Sequence, residues 1–135
     1  MLILNANEQS EAGGSPSEAD LNAMGAYNDE LIKAGVMLAG EGLHPSSDGA
    51  RVEYDGDERS VTDGPFTETK ELVAGFWIIQ AASREEALEW ARRIPLTSGR
   101  VEVRRVFDVA EFDQDNLYVQ KEKAWREAGG EARTA

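Results

Sequence analysis

Cysteine is absent from this chain of 135 residues, which removes disulfides, thiolate nucleophiles, cysteine zinc sites and iron–sulfur clusters together. Histidine occurs once, as His44. Cations are scarce too: 14 Lys and Arg stand against 26 Asp and Glu, for a formal net charge of −12. Nucleic-acid affinity rests on cations that neutralise phosphates, so no nucleic-acid partner is expected. The acid is spread along the chain and reads first as a solvated surface. No apolar stretch approaches the ~20 residues that cross a bilayer, and the N-terminus lacks the basic-then-apolar order of a signal peptide. No membrane contact is expected, and the expected compartment is the cytoplasm. A glycine-rich phosphate loop, a dinucleotide fingerprint and a serine elbow are all missing, so neither a nucleotide cofactor nor a hydrolase triad is expected. One histidine without His-rich or Asp-rich spacing predicts no metal either.

What is present suffices for one core. Apolar residues make up 41% of the chain, with three Trp, four Phe and three Tyr, which describes a folded single domain. Leu2-Ile3-Leu4 predicts a first strand, and Asn5 to Gly14 reads as a polar loop. Ser15-Pro16-Ser17-Glu18 predicts a helix start with Ser15 as N-cap, proline at the first position and Glu18 closing a capping box. Leu21, Met24, Tyr27, Asn28, Leu31 and Ile32 follow at helical spacing, and Gly35 stands where a C-terminal cap belongs. Val36 to Gly40 predicts a second strand, parallel to the first across the helix.

A loop through Ser46-Ser47-Asp48-Gly49 leads to Arg51-Val52-Glu53-Tyr54, a half-exposed strand that turns at Asp55-Gly56 and returns through Arg59 to Thr62. Leu72 to Ile79 is the longest apolar run and predicts a strand buried on both faces. Ser83-Arg84-Glu85-Glu86 repeats the capping box, and Pro95 stops the helix that it opens. Arg100 to Arg104 alternates as a last strand that Val106 and Phe107 continue. The order is that of an α+β ferredoxin-like sandwich, βαβ-hairpin-βαβ, over residues 1–107. Residues 108–135 form an extension, where Leu117, Tyr118, Lys121 and Trp125 share one helical face, Gly129-Gly130 ends the pattern and the last five residues fray.

Between the hairpin and the apolar strand lies Asp63-Gly64-Pro65-Phe66. Asp63 can bond the backbone two residues on, Gly64 can take positive φ, and Pro65 forbids a ladder donor, so the incoming strand must stop. Asp63 supports two readings, a general base raised by burial and a carboxylate that caps its own turn. His44, beside Glu41 on a glycine-rich turn, forms an acid–base pair with Asp63 or Glu41 in one reading and is a plain loop residue in the other. Glu68 and Lys70 hold a polar ligand group or make an exposed ion pair worth at most ~1 kcal/mol. Phe66, Phe76 and Trp77 line a cavity or simply fill the core.

Ala39-Gly40-Glu41-Gly42-Leu43, Val61 to Glu71, Ala74-Gly75-Phe76 and Ala87 to Ala91 together resemble the DGPF branch of the YCII-related proteins, in order from Leu2 to about Phe107. The resemblance implies a dimeric α+β barrel, a homodimer whose two ferredoxin-like sheets face one another around a cavity. It also implies a small bacterial cytoplasmic protein, sometimes encoded beside extracytoplasmic-function sigma factors, which makes a sigma factor a partner by family context alone. The matched motif carries over Asp63, Gly64, Pro65 and Phe66, but no activity. Three readings stay open: binding of a small molecule with acid–base catalysis by Asp63 and His44, binding without chemistry through Glu41, Gly64, Pro65, Phe66, Glu68, Lys70 and Phe76, and an interaction surface for transcription machinery.

Overall fold

The computed structural model describes residues 1–130; the five where fraying is expected lie outside the described residues. In chain order the elements are β1 (Leu2–Asn5), α1 (Glu8–Glu11), α2 (Glu18–Lys33), β2 (Met37–Gly42), β3 (Ala50–Asp55), β4 (Glu58–Asp63), β5 (Val73–Ile79), α3 (Arg84–Arg92), β6 (Val101–Val103) and α4 (Leu117–Trp125). Four strands form a sheet in the order β2-β5-β1-β6, every neighbouring pair antiparallel. β3 and β4 pair only with each other. This is a ferredoxin-like α+β fold with an inserted hairpin and an added C-terminal helix, as expected. The crossover through α2 does leave β1 and β2 parallel, but β5 lies between them.

Several local expectations change, each for a physical reason. The span read as a loop contains α1, because Asn7 accepts the Ser10 amide at 2.8 Å while Ser10 Oγ takes the Asn7 amide at 2.9 Å. That box is closed by serine, where the sequence template looks for Glu or Gln. α2 begins two residues later than expected, with Ser17 as N-cap accepting the Asp20 amide at 3.1 Å. Pro16 thus precedes the cap. Gly35 at φ +71 and Gly56 at φ +59 stand at turns as the sequence predicts, and Ser83 caps α3 by accepting the Glu86 amide at 3.1 Å. β6 ends at Val103, and just beyond it the Arg104 amide donates to the Met1 carbonyl at 2.9 Å. Phe107 instead stacks on Phe112, ring centroids 5.3 Å apart.

One sheet face carries the core. Leu2 and Leu31 are fully buried and pack with Tyr27, Trp77 and Ile94, and Leu4, Ile79, Val101 and Val103 close around them. Because side chains alternate along a strand, Ile3, Phe76, Ile78 and Glu102 project to the other face, away from α2 and α3. The register sets Ala39 opposite Ile78, and Glu41 and Ile3 opposite Phe76 on neighbouring strands. So β5 is packed on one face and only half-buried on the other, not buried on both. Composition shows how apolar a strand is, whereas which layer covers it is decided by elements far away in the chain.

Tyr27 ties α2 to α3. Its ring meets Trp77 and Trp90 edge-on, at centroid distances of 5.7 and 6.5 Å, and its hydroxyl donates to the Trp90 carbonyl at 2.8 Å. Burial pushes the phenol up to about 12, with the Arg93 cation opposing and the Glu30 carboxylate adding. An unfolded tyrosine loses its proton near 10, so this group's contribution is complete below pH 10 and falls as pH rises towards 12. Tyr27→Phe is expected to cost about 1 kcal/mol at neutral pH, since the Trp90 carbonyl keeps the Arg93 amide as a donor. It should also flatten the loss of stability between pH 10 and 12. Urea unfolding across that range checks both.

Candidate functional site

The Asp-Gly-Pro-Phe turn is built against two other segments. At the end of β4 the Gly64 amide donates to the Gly49 carbonyl at 2.9 Å, and the Gly64–Pro65 peptide is cis. Ser46 is the hub: its Oγ accepts the Phe66 amide at 3.0 Å and donates to Glu11 Oε2 at 2.5 Å, while its amide donates to Glu11 Oε1 at 3.0 Å. A Cβ on Gly64 would overlap the Ser46 carbonyl oxygen outright. Gly64 has no positive φ, so glycine is required here by close approach and not by backbone conformation. The Arg51 guanidinium covers the Phe66 ring, 3.8 Å from its centroid.

The other sequence candidates are dispersed. Asp63 is exposed and its carboxylate accepts no hydrogen bond among the described residues, from its own turn or from His44. His44 Nδ1 lies 2.9 Å from Asp48 Oδ2 in an exposed pair, with side chains 84% and 61% accessible. Glu68 and Lys70 are exposed and not paired to each other; the Lys70 backbone carbonyl accepts Arg100 Nη2 at 2.8 Å. Trp77 is core, with its Nε1 donating to Asn28 Oδ1 at 2.8 Å. Glu41 and Phe76 are brought together, as direct cross-strand partners on the sheet face away from the helices.

That face leads to a groove of about 1000 Å³ at the opposite end of the sheet from the turn, where β1 starts and β5 and β6 end. Leu38, Ala39, Ile78 and Leu88 line it together with Arg84, Arg105 and Trp125. No group of three or more His, Cys, Asp or Glu among the described residues is placed to hold a metal ion. No helix of the described residues is long and apolar enough to cross a membrane.

A family model for the YCII-related domain matches residues 1–110. The chain belongs to the YCII-related family. An uncharacterised protein of Rhizobium meliloti (strain 1021) is 34% identical over 93 residues, a span of 67% of this chain and 75% of that protein. The match to the YCII-related model covers the whole sheet and the Asp-Gly-Pro-Phe turn, and leaves α4 outside it.

Within this YCII-related domain, sequence reasoning missed Glu11, Ser46, Arg84 and Arg105. For Ser46 a signal existed, since Pro45-Ser46-Ser47-Asp48 is a turn-forming run. Glu11 gave none, because its partner is 35 residues away. The arginines are ordinary exposed residues in the sequence, and only the fold gathers them at one end of the sheet.

Proposed function

We propose that this YCII-related protein works as a homodimer that binds a small molecule in a chamber between two facing sheets. The observation that carries the proposal is the sheet face away from the helices, where Ile3, Phe76 and Ile78 form a half-buried apolar surface that neither α2 nor α3 covers. Apolar area left in water costs ~25 cal/mol per Å² relative to burial, and a second copy of the same face is self-complementary about a two-fold axis. Binding without proton transfer is the favoured form of the reading. The pairing of His44 with Asp48, and the exposure of Asp63 with no side-chain partner among the described residues, both support it. Sedimentation equilibrium of the full chain at micromolar concentration tests the first requirement. Twice the 14.8 kDa chain mass is expected, and the single-chain mass would remove the chamber.

A second reading has its own observation. On α4, Leu117, Tyr118 and Trp125 are exposed, the last two at 74% and 54%, and such a stripe on an acidic chain suits a protein partner, with sigma-factor-type transcription control as the context that the family resemblance suggests. Removing residues 114–135 separates the readings. If α4 serves only an outside partner, the number of chains per particle and the melting temperature stay as they are. A weaker dimer or a lower melting temperature assigns α4 to the dimer instead.

A further inference from the structure

The groove at the far end of the sheet reverses the charge of the chain around it. Arg84, Arg104, Arg105 and Arg126 line it against a single carboxylate among the described residues, Asp108, in a protein of net charge −12. Asp108 is already engaged, its Oδ1 accepting the Ala110 amide at 2.9 Å. Three of the arginines reach carboxylates that lie outside the lining: Arg104 meets Glu102 at 3.4 Å, Arg105 meets Glu111 at 2.8 Å and Arg126 meets Glu122 at 2.8 Å. Arg84, the first residue of α3, has no carboxylate partner among the described residues. A free guanidinium presents a planar fork of donors that matches a carboxylate or a phosphate. Beside these cations the same lining carries apolar side chains, among them Leu38, Ala39, Ile78, Leu88 and Trp125. The chain's acidic surface opposes an incoming anion only weakly at this range, because salt screens charges beyond ~8 Å, while the lining arginines act in contact.

We propose that the groove takes an amphipathic anion, with one carboxylate or phosphate head held by Arg84 and Arg105 and an apolar tail laid along the apolar lining against Trp125. The volume of about 1000 Å³ stands at the upper end of the ~300–1000 Å³ typical of small-molecule sites, which suits an extended tail better than a compact metabolite. This rests on the small-molecule reading above but not on the dimer, since one chain supplies every group named.

Titration calorimetry of the full chain with dodecanoate and with dodecyl phosphate, below their micellar concentrations, tests it against dodecyltrimethylammonium, which has the same tail and the opposite charge. At least one anion should bind once per chain and shift tryptophan emission to the blue as Trp125 is covered, a shift that Trp125→Phe removes. Arg84→Gln, at an exposed position whose folding circular dichroism checks, should weaken anion binding about tenfold. Equal binding of the cation, no binding of either anion, or affinity unchanged in Arg84→Gln would overturn the proposal. Sedimentation of the same samples keeps the two proposals apart. A dimer that binds neither anion removes this inference and leaves the chamber standing, whereas a monomer that binds an anion supports the groove and removes the chamber.

Discussion

Gly64→Ala is expected to lower the melting temperature by about 10 °C, through a loss on the order of 3 kcal/mol. The added Cβ meets the backbone oxygen of Ser46, and a backbone atom cannot swing aside as the end of a side chain can. Relief requires the turn to move away from residues 45–48. That movement breaks the Gly64 to Gly49 hydrogen bond and the bond from the Phe66 amide to Ser46 Oγ, each worth about 1 kcal/mol, and lifts Phe66 from Arg51. Two other glycines calibrate the result. Gly14→Ala has open space and no positive φ, so its change should stay within about 0.5 kcal/mol. Gly56→Ala also has open space, but at φ +59, and backbone strain alone should cost about 1 kcal/mol. Thermal melts of the three variants give the order. If Gly64→Ala melts with Gly14→Ala, the turn and the Ser46 segment are energetically independent and the network between them is incidental.

The same glycine shows how far the sequence could be read. Asp-Gly-Pro-Phe announces a turn through residue chemistry that acts over two or three positions, and β4 does end there, at a bend on Gly64 that uses neither an Asp63 hydrogen bond nor a positive φ. The capping of α3 by Ser83 and the hairpin turn at Gly56 are equally local, and both appear where expected. What holds the turn is not local. Ser46 is 20 residues before Phe66 and 35 after Glu11, and no pattern of spacing links them. The hairpin makes the same point: alternation in Arg51 to Tyr54 correctly predicts a strand, but β3 and β4 are exposed on both faces, because no layer lies over either side. Periodicity tells which residues share a face. Only the assembled fold tells whether anything covers it, and so the gathering of arginines around the groove had no signature in the chain.

Phe76→Lys is expected to convert a dimer of this protein into a folded monomer, raising the dissociation constant at least about a hundredfold. Phe76 projects from the middle of the sheet face opposite the helices, between Ile3 on β1 and Glu41 on β2, and takes no part in the core cluster. In a single chain, lysine there stands in water beside the Glu41 carboxylate, so the fold should survive. In the proposed dimer a two-fold axis would bring the same substitution from both copies, and two ammonium groups would have to leave water inside an apolar interface. Taking the ammonium out of water costs several kcal/mol even with Glu41 beside it, more than the packing of two phenyl rings returns. Val61→Lys serves as the control, because Val61 is an exposed apolar residue on the hairpin and outside the sheet. A dimer that tolerates Phe76→Lys as readily as Val61→Lys would mean that the chains meet elsewhere, and Ile3, Phe76 and Ile78 would then need another explanation for being apolar. Loss of the dimer in Phe76→Lys alone, with unchanged circular dichroism, would locate the contact on the face where Glu41 and Phe76 meet, and those two residues would line whatever space the sheets leave between them.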